Sequence, residues 1–281
     1  MASNIQPQTD TFITEDGTKV FYRNWKSLNE PKGLVVIAHG FNSHSGYYQW
    51  AAEQLTSQGY EVYALDFPGR GKSDGERYYI AEYNVWISDL DKLIDIAQAA
   101  QPGLPTFLLG HSAGGVMSTV YSLEHQEKLN GFICESFAFQ VPAPDFAIAV
   151  LKGLSHIFPH AHVLKLKNED FSRNPDVVDF MNNDPLIAHE VQPTKTVEQL
   201  ALADERIKSE VATINLPLLI LHGTADKATK PEGSKYFYDN ASSDDKTIKL
   251  YEGHYHDLLN DVDKEVVMND IIEWLNAQTN K

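Results

Sequence analysis

Short apolar runs and stretches of helical period alternate along most of this 281-residue chain. Lys19 to Lys26 is rich in β-formers and follows the turn signal Glu15-Asp16-Gly17. Leu34-Val35-Val36-Ile37-Ala38, bounded by Gly33 and Gly40, reads as a buried strand. A helix is predicted from about Tyr47 to Gln58, closed by Gly59, and Tyr60 to Asp66 gives the next strand. From Ile80 the apolar positions Tyr83, Ile87, Leu90, Ile94 and Ala97 recur at three- and four-residue spacing, one face of a long helix stopped by Pro102-Gly103. Thr106 to Gly110 is a strand that runs straight into His111-Ser112 and a small-residue helix, and Gly131 to Cys134 is another strand. Leu216 to His222 and Lys246 to Tyr251 read as the last strands, with a closing helix over Val262 to Leu275.

Strands separated by helices predict βαβ units, hence an α/β fold with a mostly parallel central sheet covered by helices on both faces. The rhythm breaks between Phe137 and about Thr213, which is helical in tone, rich in Pro and His, and lacks a convincing buried strand. A stretch of that length is not a bare loop in a compact domain. The expected organisation is a core from residues 1–136 and 214–281, with 137–213 as a helical insertion on the sheet.

Charge narrows the partners. Lys and Arg total 23 against 39 Asp and Glu, a net −16, which disfavours nucleic acid and anionic membrane surfaces. The one cysteine, Cys134, sits in an apolar strand and reads as packed rather than reactive. The first ten residues carry no basic or apolar leader pattern, and no stretch is long and apolar enough to span a bilayer. A cytoplasmic protein without stable membrane insertion is expected.

The chemistry centres on Gly110-His111-Ser112-Ala113-Gly114, a G-x-S-x-G placed between a strand and a helix. That composition lets a serine stand at the apex of a tight turn, with glycines on either side allowing strand and helix to approach closely. A serine hydroxyl needs a base to become a nucleophile, and the base needs an orienting acid. Both candidates follow later strands: Asp226 after Leu221-His222-Gly223, and His254 or His256 after Tyr251-Glu252-Gly253. In an open α/β sheet these loops gather at one edge. Glu135, after another strand, is an alternative acid. Gly69-Arg70-Gly71-Lys72-Ser73 imitates the end of a phosphate-binding loop, but position 66 is Asp66 where that motif needs glycine. His156, His160 and His162 lack a framework of acidic or cysteine partners, so no metal site is expected, and the triad chemistry requires no cofactor.

These features together resemble the α/β-hydrolase superfamily and, within it, the monoglyceride lipase and lysophospholipase-like serine hydrolases. The resemblance runs from about Phe12 to Leu275. It is carried by His39-Gly40, Ser43-His44-Ser45-Gly46, Asp66 through Gly75, the serine elbow, Phe171-Ser172-Arg173, Asp184-Pro185-Leu186, Gly223 through Asp226 and Gly253 through His256. It implies Ser112, Asp226 and His256 as the catalytic set, His256 being three residues after Gly253 in G-x-x-H-x-L. It further implies an oxyanion hole from the backbone N–H groups of Phe41 and Ala113, structural roles for His39, His111 and His222, and a cap made by the insertion. Phe41 departs from the small, glycine-containing stretch usual there, which bears on the pocket beside the ester.

The implied reaction is cleavage of a small, lipid-like carboxylic ester, such as a monoacylglycerol, through an acyl-enzyme. A general short-chain carboxylesterase, thioester or C–C hydrolysis, and acyl transfer to an alcohol are the alternatives. Dehalogenase and epoxide-hydrolase chemistry would need Asp at the elbow. In the cap, Phe146, Val150, Leu154 and Ile157, with Phe158, form an apolar stripe expected to pack, to line an acyl pocket or to touch lipid transiently.

Overall fold

The computed structural model describes residues 5–139 and 153–280. Eight strands form one sheet in the order β1-β2-β4-β3-β5-β6-β9-β10: β1 (Gln8–Ile13), β2 (Lys19–Trp25), β3 (Gly33–Ala38), β4 (Tyr60–Leu65), β5 (Thr106–His111), β6 (Gly131–Glu135), β9 (Leu218–Gly223) and β10 (Lys246–Tyr251). β1 and β2 are antiparallel to their neighbours, and the other six run parallel. The mostly parallel sheet read from the apolar runs is therefore what the chain builds. The mostly exposed hairpin strand β1 adds an edge that the apolar pattern does not reveal.

Alternation along the buried strands explains how helices cover both faces. Leu34, Val36, Leu108, Phe132 and Ile220 pack on one side, with Leu90 and Ile94 of α2 (Tyr83–Ala100) and Val116 and Val120 of α3 (Ala113–His125). Val35, Ile37, Leu109, Ile133 and Leu219 pack on the other, with Leu55 of α1 (Gln49–Ser57) and with Ile271 and Leu275 of the last helix (Lys264–Thr279). The register pairs Ala38 with Gly110, Gly110 with Cys134, Cys134 with Ile220 and Gly223 with Tyr251. The carboxyl ends of five strands thus share one edge of the sheet.

Between β6 and β9 the chain adds a short antiparallel ribbon, β7 (His162–Leu164) with β8 (Gln192–Pro193), and the helices α4 (Pro175–Asn183) and α5 (Thr194–Glu210). Helix α5 joins the layer of α2 and α3, burying Leu200, Ala203 and Ile207 there. Its first turn is tied to the chain before α2: the Ile80 amide donates to Thr196 Oγ1 at 2.9 Å and the Tyr83 amide to Gln199 Oε1 at 2.9 Å. Arg70, 1% exposed, pairs with Glu190 and donates to Gln192 Oε1 at 2.8 Å. His44 Nε2 lies 2.9 Å from Asp184 Oδ2.

The loop that imitates a phosphate-binding motif wraps its own aspartate. Asp66 accepts the amides of Ser45 at 2.7 Å and Lys72 at 2.8 Å, and a Cβ on Gly71 would stand 2.2 Å from Asp66 Oδ2. The cradle is filled by a carboxylate.

Candidate active site

Ser112 sits between β5 and α3 at φ 56°, ψ −122°, a conformation that costs a non-glycine residue about 1–3 kcal/mol. The surroundings enforce it. A Cβ on Gly114 would lie 2.2 Å from the Ala38 carbonyl oxygen, and one on Gly40 would lie 2.7 Å from Ser112 Cβ. The Ser112 amide donates to the Glu135 carbonyl at 3.0 Å, pinning the elbow to β6. Glycines therefore bring the loop after β3 against the serine, which places residue 41 beside it and Ala113 at the first position of α3.

The serine hydroxyl donates to His256 Nε2 at 2.8 Å, and His256 Nδ1 donates to Asp226 Oδ2 at 2.8 Å. His256 is fully buried, with Phe171 edge-on to its imidazole at 4.9 Å between centroids. The structure thus brings together Ser112, Asp226 and His256. His254 lies apart: its Nδ1 is 3.8 Å from Asp261 Oδ2, beyond hydrogen-bond reach, and burial lowers its pKa. A Cβ on Gly223 would meet the backbone oxygens of His254 at 2.3 Å and Tyr255 at 2.5 Å, so this glycine lets the acid loop and the histidine loop touch.

Asp226 is held by more than the imidazole. Its Oδ1 accepts the amides of Ala228 at 2.8 Å and Thr229 at 2.9 Å, and its Oδ2 accepts the Thr229 hydroxyl at 2.7 Å. His222 Nε2 lies 3.0 Å from the same Oδ2, and its Nδ1 lies 2.7 Å from Ser234 Oγ. With Ser234 donating to Nδ1, the His222 Nε2–H is the donor to Asp226. Burial alone would raise the Asp226 pKa, but His256 and His222 outweigh it and hold the carboxylate well below its usual range. His222, expected to be structural, and Thr229, which the sequence did not single out, both brace the Asp226 carboxylate. The spacing His222-Gly-Thr-Ala-Asp226 was the available signal.

Phe41 is 3% exposed, its ring edge-on to Trp86 at 6.4 Å and beneath the Arg70 guanidinium at 4.4 Å. The bulk that replaces the usual small residue is taken up by this cation–aromatic packing. His39 has its Nδ1 2.7 Å from the Gly40 carbonyl and accepts the Phe67 amide on Nε2 at 3.1 Å; burial pushes its pKa down to about 4. His111 is buried against the His256 ring at 5.0 Å. Glu135, the alternative acid, makes no hydrogen bond to His256; its Oε1 accepts the Leu259 amide at 3.3 Å instead.

Between β6 and β7, Leu154 and Ile157 are 41% and 69% exposed, and Phe158 is exposed beside them. Phe146 and Val150 lie outside the described residues. His160 bonds Glu76 at 2.7 Å, and His156 lies 3.6 Å from Glu198. No helix among the described residues is long and apolar enough to cross a membrane.

A serine elbow, a base and an acid on three loops at the carboxyl edge of a mostly parallel sheet define a serine hydrolase of the α/β-hydrolase fold. The family described as "Serine aminopeptidase, S33" matches residues 29–263, and the chain belongs to it. It is 30% identical to a monoacylglycerol lipase of Mycolicibacterium smegmatis, over 94% of this chain and 95% of that one. The human monoglyceride lipase is 32% identical, over 95% of this chain and 90% of that one. The crystal structure of Paleococcus ferrophilus monoacylglycerol lipase is 33% identical, covers 92% of this chain and 99% of its own, and superposes with a TM-score of 0.82.

Proposed function

We propose that this protein hydrolyses monoacylglycerols or closely similar lipid-like esters, with Ser112 as nucleophile, His256 as base and Asp226 as orienting acid. That it is a carboxylic ester hydrolase follows from its family and from lipases related over nearly its whole length. The observation that carries the catalytic assignment is the unbroken line from Ser112 Oγ through both nitrogens of His256 to Asp226. His256 takes the serine proton as Oγ attacks the ester carbonyl, and the amides of Phe41 and Ala113 stabilise the oxyanion. Collapse of the tetrahedral species expels the alcohol, which His256 protonates. A water activated by the same histidine then releases the acid. Residues 137–213 act as the cap that shapes the acyl and alcohol pockets, tied to the core through Arg70 and His44.

The test is a panel of esters varied separately in acyl length and alcohol group. A glycerol-dependent preference for long acyl chains is expected; short-chain preference without glycerol dependence would make the protein a general carboxylesterase. Ser112→Ala, with an unchanged melting temperature, should lower kcat by about 10⁶-fold. Turnover within tenfold of the parent would remove Ser112 from the mechanism.

A further inference from the structure

Behind the catalytic histidine lies a second buried group of titratable side chains that the mechanism above does not use. His111, Glu135 and Asp257 are 1%, 0% and 5% exposed, and one nitrogen or carboxylate oxygen from each lies within 4.8 Å of the others. Glu135, the last residue of β6, reaches across the sheet edge and accepts the Leu259 amide at 3.3 Å. That amide belongs to the loop directly after His256, so the carboxyl ties β6 to the histidine loop. Among the described residues its other oxygen, Oε2, has no hydrogen-bond partner, nor has His111 Nε2. Among the described residues the Asp257 carboxylate accepts only from Asn260 Nδ2, at 3.0 and 3.2 Å, and the Asp257 amide donates to the Phe171 carbonyl at 2.8 Å.

Two buried carboxyls this close, with no Lys or Arg side chain among the described residues paired to either, cannot both ionise cheaply. The groups that act on them add little relief. Tyr48 hydrogen-bonds His111 Nδ1 at 3.3 Å, and His111 is kept neutral by burial. Asp226 acts on Glu135 and Asp261 on Asp257 to favour retention of the proton. The thiol of Cys134 and the phenol of Tyr251 are raised by burial, stay neutral and bring no positive charge. His256 and Lys264 act the other way on Asp257, after burial and Asn260. The result is an Asp257 carboxyl pushed up to about 6 and a Glu135 carboxyl raised well above its ordinary value, each chiefly by burial.

We propose that Glu135 and Asp257 share one proton, and that Glu135 is a positioning residue which holds the loop 257–259 on β6 and so keeps the His256 imidazole on Ser112. While the pair keeps its proton, the loop is drawn in. When the proton leaves at alkaline pH, two adjacent buried carboxylates repel, the Leu259 tether loosens and the base moves off the serine. The sign is that of raised carboxyl pKa values: the stability the pair contributes is full below the unfolded carboxyl value of about 4 and is lost as pH rises through the folded values. The catalytic part of this rests on His256 being the base, as proposed above; the shared proton does not.

Infrared titration of the whole protein tests the proton first. The carboxylic-acid C=O band should persist to a higher pH in the wild type than in Glu135→Gln or Asp257→Asn, by more than about one pH unit, the mark of coupled sites. Asp89, also pushed up to about 7 by burial, contributes a band to all three proteins and cancels in the difference. A remaining carboxyl that titrates at the wild-type pH in both variants would overturn the pair, whatever the protein hydrolyses. So would a wild-type titration that shifts on adding a chelator, since a bound cation would then be balancing the charges.

Ester kinetics test the positioning. Glu135→Ala should lower kcat about tenfold below the alkaline limb, where the wild-type tether holds, with KM within a factor of two. Glu135→Gln, which keeps an acceptor for Leu259 and cannot ionise, should restore kcat near pH 6 and flatten the wild-type alkaline limb. Equal alkaline limbs in wild type and Glu135→Gln would overturn the role, and Asp257→Asn provides the same reading should the Glu135 variants fold poorly.

Discussion

Two buried carboxyls stand at the carboxyl edge of one sheet, Asp226 in the loop after β9 and Glu135 at the end of β6, and their surroundings push them in opposite directions. Asp226 receives two imidazole N–H groups, a threonine hydroxyl and two backbone amides. Glu135 receives the Leu259 amide at 3.3 Å and faces Asp257. Burial is nearly the same for both side chains, so burial does not decide which is charged. The count of donors aimed at the carboxylate does. The Asp226 site, which on the proposed mechanism stabilises an imidazolium, has its charge fixed by hydrogen bonds, and the site beside it is suited to hold a proton.

The most direct way to break this contrast is Asp226→Asn. It should lower kcat about 10⁴-fold, since the amide cannot hold His256 in the tautomer that accepts the serine proton. If Glu135 can replace it, activity survives and is lost only in the double variant with Glu135→Gln. The same substitution has a stability signature. A carboxyl with a depressed pKa contributes stability that is full above its unfolded value and is lost as pH falls below about 4. The melting temperature of wild type should therefore fall more steeply than that of Asp226→Asn between about pH 5 and pH 3.

A smaller effect should come from His222→Phe, which removes one donor from Asp226 and leaves the triad intact. About tenfold in kcat is expected, with KM little changed. Loss beyond about 10³-fold would mean that His222 does more than brace the acid. The smallest effect belongs to His254→Ala. This histidine bonds neither Asp226 nor Ser112, so kcat should stay within about threefold of wild type. A loss comparable to that of His256→Ala would reverse the choice between the two histidines.

Much of the fold was legible because its signals are local. The fully buried strands β3, β5, β6 and β9 appear as uninterrupted apolar runs, since both faces of a parallel sheet are covered. The long helix α2 announced itself by its spacing, displaced by about a turn because Glu82 is still extended at its start. β1 escaped notice because five of its six residues are exposed, so no alternation marks it. Helix α5 was indistinguishable from the rest of the insertion, because a helical stripe shows that a face is buried without showing against what.

Ser112 was determined by the sequence alone, since the strained elbow demands glycines at set offsets and the pentapeptide displays them. The order of serine, acid and histidine, each after a strand, was equally readable along the chain. What only the tertiary structure decided were the pairings across loops: His256 rather than His254 on the serine, His222 as a second donor to Asp226, Phe41 committed to Arg70 and Trp86, and Glu135 set against Asp257. The physical reason is distance along the chain. Glu135 and Leu259 lie 124 residues apart, and His256 and Ser112 lie 144 apart. No local pattern records such contacts, whose charge states depend on which donors the fold brings within about 3 Å.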